Sequence, residues 1–251
     1  MPEFNLTDAQ VQAYLDTFAQ KYASTYFVFE GLDGSGKTTL QQWLAQNLTD
    51  CLCVREPGST KFSEQIREIL LTSEFKLNSL TELFLFMASR TELLHQRIIP
   101  ALENNQIVLS DRSYISSFAY QAYPGNISVD YFNQTITQIY QSRQIDVLVY
   151  FDIPYQVGLQ RSASVRDQDN MEAKGNEFYE RTARGYALYL EDFISKSDLV
   201  ELDVSPLSQQ AIKVYQHQTT KQYLVNIDAQ LSITHIRFAF LEVMAALPFM
   251  R

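Results

Sequence analysis

The sequence predicts a three-layer α/β/α fold on a five-stranded parallel sheet, with a lid over one end. Three observations lead there. Short runs rich in β-branched and aromatic residues recur at 26–30, 52–55, 107–110, 147–151 and 199–202. Helical patterns separate them, and strands joined through helices pair in parallel with helices on both faces. A glycine-rich turn at 31–38 links the first strand to the helix after it.

Each element has its own signal. Val11, Leu15, Phe18 and Tyr22 recur at helical spacing, predicting an amphipathic helix over 6–23. Residues 26–30 (YFVFE) read as a buried strand that runs into the glycine turn. A helix over 38–48, a strand over 52–55 and a helix over 63–71 follow. Ser79 with Glu82 makes a capping-box signature, opening a long apolar helix to Arg97 and beyond, where Pro100 kinks or restarts it. Residues 107–110 (IVLS) are a third strand, entering Asp111-Arg112 and a helix at 113–122; another helix covers 128–142. Residues 147–151 (VLVYF) are a fourth strand. Helices at 155–163 and 177–194 flank a polar stretch, and 199–202 is a short fifth strand. Residues 218–251 stay open. Leu231, Ile233 and His235 alternate as in a strand, while Phe240, Val243, Met244 and Leu247 have helical spacing.

Composition narrows the partners. A chain of 251 residues, 46% hydrophobic, can bury one sizeable α/β core. Its net charge of −9 and pI near 4.9 repel nucleic acid and anionic lipid, so neither is an expected partner. Cys51 and Cys53 flank Leu52 in an apolar run and read as buried bystanders, poorly placed for a disulfide. Low cysteine use fits a reducing compartment. Glu3 and Asp8 replace the basic start of a signal peptide. Residues 238–250 are too short to span a bilayer and include Glu242. A soluble, cytoplasmic protein is expected.

The turn reads Gly31-Leu32-Asp33-Gly34-Ser35-Gly36-Lys37-Thr38, followed by Thr39. It satisfies G-x-x-x-x-G-K-[ST] between a strand and a helix, which makes the fold a P-loop NTPase. Backbone N–H groups of such a loop face inward at the positive end of a helix and cradle phosphates. Lys37 would reach the β- and γ-phosphates of a nucleotide, and Thr38 would hold Mg²⁺. The loop indicates ATP or GTP without indicating the acceptor.

Three segments bear on the acceptor. Phe86 and Arg90, in LFLFMASR, are i and i+4 on one helix face; a ring with a guanidinium one turn away suits a planar base, or Phe86 is core and Arg90 a surface arginine. Asp111 and Arg112 open DRSYISSFAYQ at a strand's carboxyl end, where ligands bind in parallel sheets. Arg112 suits a phosphate and Asp111 suits Mg²⁺ through water, while Ser116 and Tyr120 lie one turn apart. REPGST, at 55–60, contains a Pro-Gly turn that serves a site or only the turn.

Together FEGLDGSGKTT, REPGST, LFLFMASR, DRSYISSFAYQ and FDIPYQVGLQR resemble the thymidylate kinase family, in order, from about residue 26 to about 215. The resemblance implies phosphorylation of dTMP to dTDP by ATP with Mg²⁺, usually by a homodimer. It implies that Asp33 meets the deoxyribose 3′-hydroxyl region and that Phe86 stacks on thymine. Arg90 would read the carbonyl edge of the base, and Arg112 would hold the monophosphate. Ser116 and Ser117 would lie beside the base, Tyr120 would lie under C2′, and Gln121 completes the match among the substrate-binding positions.

The chain also departs from the family. Some members carry an arginine where this chain has Gly34; members without it supply the cation from a lid. Here the lid candidate is 161–177, with Arg161 on the nucleotide side. Asp169-Asn170-Met171-Glu172 stands where the bacterial lid often reads Asp-Arg-Ile-Glu, so Arg166 and Arg181 become the candidate catalytic cations beside Lys37 and Arg112. Residues 1–25 read as an N-terminal helical extension, 26–215 as the P-loop domain and 216–251 as a C-terminal extension. His95, His217 and His235 lack ligand spacing. Two rivals stand: a deoxynucleoside kinase using Glu56 as base, and a nucleotide-binding regulator of weak activity.

Overall fold

The computed structural model describes residues 6–72, 74–141, 143–163, 175–195, 198–204 and 211–249. Among them a seven-stranded sheet runs in the order β2-β3-β1-β4-β7-β6-β5. The strands are β1 (Tyr26–Gly31), β2 (Cys51–Arg55), β3 (Ile107–Asp111), β4 (Val147–Asp152), β5 (Leu199–Leu202), β6 (Ile212–His217) and β7 (Tyr223–Asp228). From β2 to β7 along that order the pairs are parallel, and β6 runs antiparallel to both β7 and β5.

The α/β class stands, and the five-stranded, all-parallel sheet is corrected. The predicted fifth strand, β5, is an edge strand that pairs with β6. The strand beside β4 is β7, in register from Val147↔Tyr223 to Asp152↔Asp228. Polar residues on the exposed positions of β6 and β7, and the tight turn closed by His217 N–H to the Gln222 carbonyl at 2.9 Å, hide both strands from a search for continuous apolar runs. The alternation at 231–235 is not a strand. Ser232 caps α10 (Ile233–Ala246) and accepts from the His235 amide.

Helices cover both faces. They include α1 (Asp8–Lys21), α2 (Lys37–Asn47), α3 (Lys61–Leu71), α4 (Ser79–Leu93), α5 (Ile99–Glu103), α6 (Tyr114–Ser117), α7 (Val129–Tyr140), α8 (Tyr155–Ala163) and α9 (Asn176–Ser195). Single π turns extend α4 through Leu94–Ile98 and α6 through Phe118–Ala122. Pro100 falls in the first turn of α5, directly after the π turn. No helix among the described residues is long and apolar enough to cross a membrane.

Every residue of β1 is buried. On one side of it Phe18 and Tyr22 of the N-terminal segment pack against Phe27, and Phe18 also meets Phe240 of α10. Lys21 Nζ donates to the carbonyls of Met244 at 3.0 Å and Ala245 at 2.8 Å, a cation at the negative end of α10. Tyr22 Oη donates to the Met244 carbonyl at 2.6 Å. The cysteines depart from expectation: β2 is the sheet edge, so Cys51 is half-buried and Cys53 exposed, both as free thiols.

Candidate active site

β1 has β3 on one side and β4 on the other, so helices leave its carboxyl end in opposite directions and a crevice opens there. The phosphate loop fills the bottom of that crevice. Gly34 has φ 74°, and a Cβ on it would lie 2.1 Å from the Gly158 carbonyl of α8. No side chain fits there, so residue 34 has no room for a cation in this packing.

Lys37 is 5% exposed. Its Nζ donates to the Leu32 carbonyl at 3.3 Å and lies 3.8 Å from Asp33 Oδ1. Burial, then the Arg112 charge, lowers its pKa, against the pull of Asp111, Asp33 and Glu30. Thr38 Oγ1 donates to Asp111 Oδ2 at 2.5 Å. Asp111 Oδ1 is buried with no hydrogen-bond partner among the described residues, and so is Ser35 Oγ in the loop. A hydroxyl beside a half-satisfied carboxylate is the donor set Mg²⁺ takes when phosphates and water complete its shell, so the residues fit the ion.

Arg112 adopts φ 75°, which turns its side chain back over the loop. Nη2 meets Asp33 Oδ1 at 2.5 Å, and Nη1 donates to Ser116 Oγ at 3.0 Å and to Tyr186 Oη and the Gly31 carbonyl at 3.3 Å. The guanidinium stands over the Tyr120 ring, 5.1 Å from its centroid. Burial opposes this charge, but Tyr120, Asp33, Tyr186 and Asp111 outweigh it and raise the pKa above the arginine range. Asp33 is the hub: Tyr120 Oη and Tyr179 Oη both donate to Oδ2, at 3.2 and 3.3 Å.

The expected acceptor residues fall around one cavity, with differences. Phe86, Ser116, Tyr120 and Gln121 line it together with Asp33, Lys37, Thr38, Asp111 and Arg112. Arg90 and Ser117 sit behind the wall. Arg90 is 1% exposed, and its Nη2 pairs with Glu56 Oε2 at 2.7 Å and donates to Ser117 Oγ at 2.9 Å. Burial pushes the Glu56 carboxyl up to about 7, with Arg90 pulling the other way. Gln121 Nε2 donates to Glu82 at 3.3 Å.

Arg181 does not join the site. It is exposed and donates to the Pro124 carbonyl at 2.9 Å. It lies about 200° around the helix from Tyr179, so α9 shows the site Tyr179 and Tyr186 instead. Arg161 donates to the carbonyls of Ala229 and Gln230, at 2.7 and 3.3 Å, beyond the carboxyl end of β7. Arg166, Asn170 and the rest of 164–174 lie outside the described residues.

Sequence reasoning missed Glu30, Arg67, Tyr179 and Tyr186. Arg67 lines the cavity from α3, and its Nη1 donates to the Pro57 carbonyl at 2.9 Å. An acid closing an apolar strand one residue before the phosphate loop was a readable signal for Glu30. Nothing local marked the two tyrosines, which reach the site only through the packing of α9.

A family model described as thymidylate kinase matches residues 29–211. The chain belongs to the thymidylate kinase family. A thymidylate kinase of Kosmotoga olearia is 35% identical over 208 residues, covering 80% of this chain and 95% of that protein. One from Chlorobium limicola is 37% identical over 183 residues, 68% of this chain and 82% of that one. Among solved structures, thymidylate kinase from Ehrlichia chaffeensis aligns with a TM-score of 0.55 at 28% identity, over 68% of this chain and 87% of that one. As a thymidylate kinase, the protein is a P-loop transferase that phosphorylates dTMP at the expense of ATP.

Proposed function

We propose that dTMP occupies the cavity between the phosphate loop, α4 and α6, with its phosphate on Arg112. The observation that carries this is the placement of Arg112. Its guanidinium stands between Asp33 of the phosphate loop and Tyr120 of the acceptor wall, so one cation faces both reactants. Asp33 Oδ1 holds that cation until the phosphate competes for it, and then serves the 3′-hydroxyl region. Phe86 packs on the base. Arg90, steadied by Glu56 and Ser117, supplies a donor to the carbonyl edge with Gln121 alongside, while Ser116 holds Arg112. Tyr120 lies against C2′.

The acceptor phosphate is close to a dianion at neutral pH, its second pKa being about 6, so it attacks without a general base. What remains is to offset repulsion between two anions and hold them in line. Lys37 and Arg112 do this from opposite sides. Mg²⁺ held by Thr38 and Asp111 would neutralise charge on the β- and γ-phosphates, and Arg161 is assigned to the ATP side. Glu56 is tied to Arg90, which leaves the deoxynucleoside kinase reading without its base. Intact Lys37, Thr38 and Asp111 disfavour an inert regulator.

The outer faces of α3 and α4 support a homodimer through these two helices. Phe62 and Ile69 are 48% and 37% exposed, and Leu80 and Phe84 are 44% and 49% exposed. Their i, i+7 and i, i+4 spacing makes apolar stripes that suit a partner. The free thiols fit the reducing cytoplasm. ADP release across nucleoside monophosphates and deoxynucleosides, with Mg²⁺ and with EDTA, tests the assignment. We expect dTMP to be the best acceptor and EDTA to stop the reaction; thymidine outrunning dTMP would overturn it. Sedimentation of wild type and Phe84→Glu tests the dimer.

A further inference from the structure

Arg112 is held by groups that are themselves held. Its Nη1 donates to two hydroxyls, Ser116 Oγ and Tyr186 Oη. A hydroxyl that accepts from Arg112 must send its own proton elsewhere, and here both have the same destination. Ser116 Oγ lies 2.7 Å and Tyr186 Oη 2.8 Å from Glu30 Oε2. The other carboxylate oxygen, Oε1, accepts from the Ser113 amide and hydroxyl, both at 2.8 Å, and from the Ser116 amide at 3.1 Å. Glu30 is fully buried, on β1 directly before the phosphate loop. Each of these contacts is with a donor, so the carboxylate fixes where the protons of both hydroxyls go.

We infer that Glu30 is a positioning residue for the acceptor phosphate: it draws the protons of Ser116 and Tyr186, turns their lone pairs toward Arg112, and so fixes the guanidinium that meets the phosphate. The inference rests on the reading of Arg112 as the phosphate-holding arm. The alternatives open to the hydroxyls show why the charge matters. They lie 2.8 Å from each other, and Tyr186 Oη is 3.4 Å from the Gly31 carbonyl. In Glu30→Gln the two amides at Oε1 can only donate, so the carboxamide oxygen must face them. Its NH₂ must then face the hydroxyls as a donor, so their protons lose the acceptor on residue 30. Those protons must turn to each other or to the Gly31 carbonyl, and no longer set the lone pairs toward Arg112.

The test is the ratio of dTMP to thymidine affinity, measured by calorimetry without ATP, beside KM for each substrate. Thymidine lacks the phosphate, so the ratio isolates the arm. Glu30→Gln should lower the ratio at least tenfold through weaker dTMP binding, with thymidine affinity and KM for ATP within twofold of wild type. Equal losses for dTMP and thymidine would overturn the inference, since a merely structural role weakens both. Arg112→Ala runs in parallel. If it leaves the ratio unchanged, the reading of Arg112 fails and takes the inference with it. If it collapses the ratio while a folded Glu30→Gln keeps the wild-type value, the role of Glu30 alone fails. Should Glu30→Gln not fold, Tyr186→Phe decides, because it removes one acceptor and keeps the ring: a several-fold fall supports the inference, and an unchanged ratio overturns it.

Discussion

Sugar selectivity should turn on Tyr120. Its ring is 6% exposed, with Arg112 at 5.1 Å and the Phe178 and Tyr186 rings at 6.1 Å. Placed against C2′, it leaves a ribose hydroxyl without a partner. A stranded buried hydroxyl costs about 1–3 kcal/mol, or roughly 5- to 150-fold in selectivity. Tyr120→Ala admits the hydroxyl with a water, so the preference for dTMP over its ribose counterpart should narrow by a factor in that range. The same change removes packing worth about 3–5 kcal/mol, so the melting temperature falls too. Tyr120→Phe separates the effects. It keeps the ring and loses the hydroxyl's contacts to Arg112 and to Asp33 Oδ2, the latter still reached by Tyr179 Oη at 3.3 Å, so the selectivity should stay. The assay is kcat/KM for both acceptors in all three proteins, each with a melting curve. A Tyr120→Ala protein that is folded at the assay temperature and keeps the wild-type ratio would refute the reasoning.

Other outcomes follow from the same geometry. Lys37→Met should abolish transfer while circular dichroism shows an intact fold, because an apolar chain of similar length fills a site that is 5% exposed; activity near wild type would end the phosphate-loop mechanism. Arg181→Ala should leave kcat within twofold, since the side chain is exposed on the Pro124 carbonyl; a large loss would return it to the transferring phosphoryl group. Lys21→Met should lower stability to urea by about 1–2 kcal/mol through loss of the cation at the end of α10, with kcat/KM unchanged. The carboxyl of Glu56 is raised from 4.5 to about 7 in the fold, so the stability from its protonation is present below about 4.5 and lost as pH rises through about 7. Glu56→Gln should flatten melting temperature against pH across that window, and a wild-type curve parallel to the mutant's would remove Glu56 as its source.

The phosphate loop was legible because its requirements are local: glycines where backbone must pass close to backbone, and a lysine and threonine at fixed spacing. Arg112 was legible from its place after a strand, although its left-handed backbone was not. The second half of the sheet was obscured. β7 carries buried Leu224, Val225 and Ile227, but Asn226 and Asp228 break the run, and only pairing with β4 and β6 makes it a strand. Ser232 decides between strand and helix at 231–235 by capping, a competition that alternation alone does not resolve. Arg181 was singled out by charge, without the helical phase that turns it away from Tyr179, and the exposure of the cysteines was missed because exposure of an edge strand depends on sheet order.

The sheet is not assembled in the order in which it is written. β7 joins β6 and β5 to β4, yet both precede it along the chain. Until residues 223–228 leave the ribosome, that pair has no place beside the parallel strands. α1 waits long for part of its packing, since it rests its Leu15 and Phe18 side on a surface that includes α10, some 220 residues later. At about 5–20 residues per second the delay is roughly 10–45 s. A chain stalled before residue 233 therefore leaves the Phe18 side of α1 without its α10 partner, and the packing of α1 is completed only when α10 is made.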